Sequence, residues 1–427
     1  MGAFANTRAL ENLLIIGRVQ AKHNEIGINT RRARTAMDSL PPTMAGGKFK
    51  GVLTDASVYV KCATAAYGVT MIDSADLLQV FGKKVVVSPL VEGASRTARR
   101  RKISRYIGVH EDDIVDLSSP GGSMDVIGHF LTVDHRKKKV KNSKGVVILA
   151  IRGTFTISGL KLDAQAFDKK YLDGVAHSGI AAAADKLWDH VKSNVVKALL
   201  DNPGYDLVIT GHSLGAGTAA LLSLKVNYES LLAMENSSLK GVAVSCFAFA
   251  PPPVYFQSKK NEKMQDAMDN IFAFIHENDV VPFMSMDSAR RLFHTIKEVD
   301  KFTGLKLVSR PLMAAGLKGI PDEVEKAVMD DHSDSITAVK GAGKMAIPAP
   351  CVFWMRAIDK DKAGRPVYNV MFCRPESVDK GAMATNDLNC LLDPRMISDH
   401  MNPQYERAIF SVREQMLKKK PGFAFPI

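Results

Sequence analysis

The chain has 427 residues, of which 46% are hydrophobic and 24% charged, and its formal net charge is +12. That balance belongs to a soluble globular protein with enough chain for a large core without covalent staples. No run of about 18 apolar residues occurs, so no transmembrane helix is expected.

The N-terminal residues 1–45 show only one short amphipathic stretch, Leu10 to Val19, before Pro41-Pro42 and Gly46-Gly47 punctuate the sequence. Leu13 to Ile16 is too short for the apolar core of a secretory signal, and Glu11 precedes it. Met1-Gly2 has Asn6 where a myristoylation signal wants Ser or Thr. A helix is predicted from Thr54, with Thr54 or Asp55 as cap, Val58, Cys62 and Ala65 on one face, and Gly68 beyond its end. Ile127–Val133 and Val146–Ile151 read as strands. Ala181–Leu200 reads as a helix, with Ala184, Leu187, Val191 and Val195 at helical spacing. Leu207–Thr210 is a short apolar strand followed at once by a helix from Leu214. Val242–Ala250 and Ile271–Ile275 are further buried strands. Such alternation predicts an α/β fold with a mostly parallel sheet covered on both faces. Cys351–Ile358 and Pro366–Phe372 form a predicted hairpin across Asp359–Gly364. The stretch Phe302–Ala349 has no assignable pattern.

Three basic clusters stand out: Arg31–Arg34, Arg96–Arg105 and His135–Lys144. Each reads first as a solvated loop, the third as the tip of a strand pair. A positive surface also attracts the phosphates of lipid headgroups. No nucleic-acid motif or interleaved aromatic pattern accompanies them, so nucleic acid is not an expected partner. The five cysteines, Cys62, Cys246, Cys351, Cys373 and Cys390, are odd in number and scattered. They have neither zinc spacing nor a disulfide framework, which points to a reducing, cytoplasmic compartment.

The chemistry centres on Gly211-His212-Ser213-Leu214-Gly215, a G-x-S-x-G between a strand and a helix. A serine on that sharp turn exposes its Oγ, and the flanking residues must be small because strand and helix crowd there. Gly215, Ala216, Gly217, Ala219 and Ala220 let the helix lie close against the sheet. A nucleophilic serine needs a base, and the base an orienting acid, in the chain order Ser, Asp or Glu, His. Asp279 follows the strand Ile271–Ile275 and is preferred over Asp287 and Asp300. His400, beyond the final hairpin, is preferred over His294 and over His332, which sits among Asp330, Asp331 and Asp334. Oxyanion donors are expected from the amide of Leu214 and from that of Thr154, after the strand Val146–Ile151. No metal or organic cofactor is required.

Several stretches together resemble the class 3 lipases, and within them the diacylglycerol lipase branch. They are VVILAIRGT, His177-Ser178-Gly179, DLVITGHSLGAGTAALLSL, FAFAPPP, NDVVPFMSMDSARRL and ISDHMNPQYERAI, with ASVYVKCATAAYG and RRKISRYIGVHEDDIV ahead of them. The resemblance spans roughly residues 50–415. It implies an α/β-hydrolase fold and hydrolysis of an acylglycerol ester, with Ser213, Asp279 and His400 as triad and Thr154 and Leu214 as oxyanion donors. Two departures stand out. Gly159 occupies the first of two positions often acidic in the family, with Asp163 at the second, and the membrane-spanning region of animal diacylglycerol lipases has no counterpart here.

The sequence therefore predicts residues 1–45 as an N-terminal helical extension and 46–427 as an α/β-hydrolase domain, its core at about 127–415 with an unassigned insert at about 302–349. The expected activity is that of a serine hydrolase on diacylglycerol or triacylglycerol, cytoplasmic and peripheral to an anionic membrane. A phospholipase A1 or galactolipid lipase is the rival within the class. A catalytically silent lipid-binding protein on the same fold is the rival outside it.

Overall fold

The computed structural model describes residues 11–20, 22, 48–68, 71–73, 95–118, 126–136, 144–153, 168–257, 261–284, 286–303, 309–329, 345–350, 352–373 and 395–418. Its strands are β1 (Ile114–Leu117), β2 (His129–Asp134), β3 (Val146–Ile151), β4 (Asp168–Tyr171), β5 (Gly174–His177), β6 (Asp206–His212), β7 (Val244–Phe249), β8 (Tyr255–Gln257), β9 (Ile271–His276), β10 (Val352–Lys360) and β11 (Pro366–Cys373). The helices used below are α1 (Lys48–Ala65), α2 (Arg96–Ile107), α3 (Ser178–Asp201), α4 (Leu214–Glu229), α5 (Met286–Thr303), α6 (Ser309–Ala315), α7 (Asp322–Met329), α8 (Met396–His400) and α9 (Asn402–Lys418). A further helix covers residues 11–20.

Among the described residues, eight strands form the main sheet in the order β1-β2-β3-β6-β7-β9-β10-β11. The pairings from β3 to β10 are parallel, and antiparallel pairs close both ends. This is the α/β-hydrolase architecture. The strand β3 shows why its sequence is a continuous apolar run. Val147, Leu149 and Ile151 join the core beneath α3 and α4, while Val146, Ile148 and Ala150 join the core beneath α1 and α9. A central strand buried on both faces has no polar side to show. A second, three-stranded antiparallel sheet, β4-β5-β8, lies apart from the first.

Two expectations need correction. The helix predicted from Thr54 starts at Lys48, so Thr54 lies inside it and its Oγ1 donates to the Lys50 carbonyl at 2.8 Å. Arg96–Arg105 is not a loop but most of α2, capped by Ser95 and anchored by the buried Ile103, Tyr106 and Ile107. The stretch 302–349 contains α6 and α7, which pack with residues 11–20 into a third core of Ile15, Ile16, Val19, Val299, Met313, Val324 and Val328. Residues 1–10, Arg31–Arg34 and 137–143 lie outside the described residues, as do Gly159, Asp163, Cys351 and Cys390. Among the described residues no helix is long and apolar enough to cross a membrane.

Candidate active site

The turn from β6 to α4 carries Ser213 at φ 59° and ψ −129°, a conformation sparsely populated by residues other than glycine. Its flanking glycines are required by contact. A Cβ on Gly215 would stand 2.5 Å from the Ile151 carbonyl oxygen, and one on Gly211 would stand 2.5 Å from Gly215 itself. The Ser213 amide donates to Phe249 O at 2.9 Å, and its carbonyl accepts from Ala216 N at 2.9 Å. The serine thus faces the carboxyl ends of β6 and β7.

Ser213, His400 and Asp279 form one hydrogen-bonded row. His400 Nε2 lies 2.9 Å from Ser213 Oγ, and its Nδ1 lies 3.0 Å from both carboxylate oxygens of Asp279. Because a carboxylate accepts, Nδ1 carries the hydrogen, and the neutral ring then offers its Nε2 lone pair to the serine hydroxyl. Asp279 is fully buried and accepts two further bonds, from Val281 N at 2.9 Å and from Tyr405 Oη. Burial and the neighbouring Asp279 push the Tyr405 phenol well above its usual range, so it stays a donor. The loop holding Asp279 is pinned by β10, whose Trp354 Nε1 and Arg356 Nη1 donate to Glu277 O at 2.8 and 3.2 Å.

Sequence reasoning missed the groups that fix His400. His212 Nε2 donates to the His400 carbonyl at 2.8 Å, and its Nδ1 faces Tyr67 Oη at 2.9 Å. Burial, then the proximity of His400, drives the His212 pKa well below the usual histidine value and keeps it neutral. His276 Nδ1 donates to the Asp399 carbonyl at 3.0 Å, with Tyr368 Oη 3.2 Å from its Nε2. Two buried histidines therefore hold two consecutive carbonyls. The only sequence signal was their adjacency to Ser213 and to the strand before Asp279.

Leu214 is the first residue of α4, so its amide has no intrahelical acceptor. Thr154 lies outside the described residues, as does His332. His294 lies on α5, its Nε2 3.9 Å from Glu298, and Asp300 accepts from Asn12 at 3.1 Å, so neither joins the row. Asp287 is in α5, with its side chain outside what is described.

Residues 148–289 match the family model "Lipase (class 3)". Diacylglycerol lipase-beta of Mus musculus is 28% identical over 225 residues, 49% of this chain and 30% of that protein. Diacylglycerol lipase-alpha of Homo sapiens is 30% identical over 212 residues, 46% of this chain and 18% of that protein. The secreted mono- and diacylglycerol lipase A of Penicillium cyclopium is 29% identical over 163 residues, 36% of this chain and 45% of that protein. The matches thus span less than half the length of each of these relatives. Among solved structures, the Rhizomucor miehei lipase–propeptide complex aligns with a TM-score of 0.44 at 13% identity, covering 83% of this chain and 80% of that one. A mutant form of MDLA from Penicillium cyclopium aligns at 0.41 and 17%, covering 82% and 94%.

Proposed function

We propose that this chain, a class 3 lipase through residues 148–289 that resembles the diacylglycerol lipase branch, hydrolyses an acyl ester of a glycerolipid through an acyl-enzyme. One observation carries the reading: a serine on a strained strand–helix turn, 2.9 Å from an imidazole whose other nitrogen is held by a buried carboxylate. Ser213 Oγ attacks the ester carbonyl as His400 Nε2 takes its proton. The oxyanion forms against the Leu214 amide, with the amide of Thr154 as the second donor. His400 returns the proton to the departing alcohol. Water, deprotonated by the same nitrogen, then releases the fatty acid and frees Ser213. Asp279 holds the tautomer and the imidazolium that forms.

The acylglycerol substrate is supported by the names of the relatives, and a phospholipase A1 or galactolipid lipase shares the same chemistry. A cytoplasmic enzyme peripheral to anionic membrane fits the unpaired, buried Cys62 and Cys246 and the charge of +12. A fluorophosphonate probe tests the chemistry, and products from a panel of diacylglycerol, triacylglycerol, phospholipid and galactolipid test the substrate. Wild type should label at Ser213 and release fatty acid. Ser213→Ala should leave no band and lower turnover by roughly four to six orders of magnitude with the fold intact. Labelling that persists in Ser213→Ala, or a wild type that never labels, would overturn the assignment.

A further inference from the structure

Three ligand-type side chains outside this site converge where β1, β2 and α3 meet: Asp116, His129 and His190. Their ligating atoms all lie within 4.8 Å of one another. His129 opens β2 and its side chain is only 1% exposed. Its Nδ1 lies 2.9 Å from the Ile127 carbonyl, which only accepts, so that nitrogen holds the hydrogen. Nε2 is then the ring nitrogen left to meet a ligand. That atom is buried and has no partner within hydrogen-bond distance among the described residues; it faces Asp116 Oδ2 at 3.6 Å, near enough for His129 to be the main cause that draws the Asp116 carboxyl down to about 2. A buried imidazole nitrogen without a partner is costly unless something fills the gap.

The surroundings orient the other two donors. Asp116 Oδ1 is taken by the Leu117 amide at 2.8 Å, with Arg96 3.8 Å away. Oδ2, which also accepts from Asn194 Nδ2 at 3.2 Å, is left facing the imidazoles. Asn194 stands one helical turn beyond His190 on α3, so both project to the same place. The His190 ring meets that of His129 edge to face, with centroids 5.4 Å apart, and His190 is exposed. A carbonyl behind one imidazole and an amide on the carboxylate are the outer contacts that metal ligands typically have.

We propose that Asp116, His129 and His190 bind a divalent transition-metal ion of the zinc type, which clamps β1 and β2 to α3. Two imidazoles and one carboxylate suit zinc or cobalt rather than calcium or magnesium, which prefer oxygen. Tetrahedral bonds of about 2.1 Å place ligands about 3.4 Å apart, so the ion draws the three donors together. His190 is the exposed member of the three.

The test uses the full chain, stripped with EDTA and titrated with zinc chloride by calorimetry, with cobalt(II) absorption as the coordination readout. Wild type should bind one equivalent, show the intense visible bands of tetrahedral cobalt and unfold at a higher temperature with zinc. His190→Ala, a surface change that leaves folding intact, and Asp116→Asn should each weaken binding by about tenfold or more and remove those bands. Circular dichroism controls for folding, and ester hydrolysis by zinc-free His190→Ala should equal that of zinc-free wild type. No binding by wild type, or equal affinity in His190→Ala, would overturn the site.

Discussion

Ser213 holds a backbone conformation that costs about 1–3 kcal/mol, and the surrounding contacts enforce it. The residues beside it are equally constrained, and His212 is the informative one. Its Nε2–H holds the carbonyl of His400, so in the proposed mechanism it would act through the position of the imidazole. His212→Leu should therefore lower kcat about a hundredfold with little change in KM, since a shift near 1 Å misaligns proton transfer. His212→Gln, whose amide reaches the same carbonyl, should restore most of the rate. A Leu variant with wild-type kcat would refute the positioning role. The sign of the pH effect follows from burial. The folded His212 resists protonation, whereas in the unfolded chain it titrates near 6.5. Below that pH the unfolded state binds the extra proton, so this contribution to stability is present above about 6.5 and is lost as pH falls, by up to about 1.4 kcal/mol per unit. Melting temperatures from pH 7 to 5 should show that slope in wild type, and a shallower one in His212→Gln. At this scale sequence order singled out Ser213, Asp279 and His400 because chain order and strand ends are written in the sequence. The roles of His212, His276, Tyr67 and Tyr405 were hidden because each is defined by a partner more than 100 positions away.

Helix α9 joins the end of the chain to its early helices through a carboxylate. Glu406 is fully buried and accepts from Tyr106 Oη of α2 and from Thr64 Oγ1 of α1 at 3.2 Å, while Asn402 Nδ2 donates to that same Thr64 oxygen at 2.8 Å. Tyr106 Oη and Thr64 Oγ1 both lose this acceptor, with Thr64 Oγ1 keeping the Val60 carbonyl at 3.0 Å, so Glu406→Ala should cost about 2 kcal/mol in urea unfolding. Glu406→Gln, which keeps one acceptor oxygen, should recover part of that. A change below about 0.5 kcal/mol in the alanine variant, the scale of an ordinary surface substitution, would show that the network adds nothing. The central strands were legible because burial on both faces leaves unbroken apolar runs such as VVILAI. The strands DKKY, GVAH and YFQ were not, because three or four mixed residues carry no period. The helices of the 302–349 stretch escaped for a related reason. Their apolar stripe is completed by Ile15, Ile16 and Val19, about 300 residues earlier, and only the packed cluster reveals it.

Over the whole molecule, the proposed docking of a chain with charge +12 on an anionic membrane surface depends on which cations the fold leaves facing outward. In α2, Arg96 reaches Asp116 at 3.8 Å, Arg101 meets Glu111 at 3.1 Å, Lys102 pairs with Asp73, and Arg99 donates to Ser118 O at 3.1 Å. Those groups turn toward the protein, so the basic run docks its own helix and offers a membrane less than its count of charges suggests. Arg105 is exposed and Arg100 half-buried, and neither makes an ion pair among the described residues. If each contributes about 1 kcal/mol at an anionic surface, Arg100→Ala with Arg105→Ala should weaken binding to phosphatidylserine vesicles roughly thirtyfold. Arg101→Ala alone should change it less, since its charge is already offset by Glu111. Sedimentation from low to high salt should show the wild-type affinity falling as the Debye length contracts from about 30 to 3 Å. Equal binding to neutral phosphatidylcholine vesicles at every salt concentration would remove the electrostatic account. An unchanged affinity in the double variant would move the attraction away from α2 altogether.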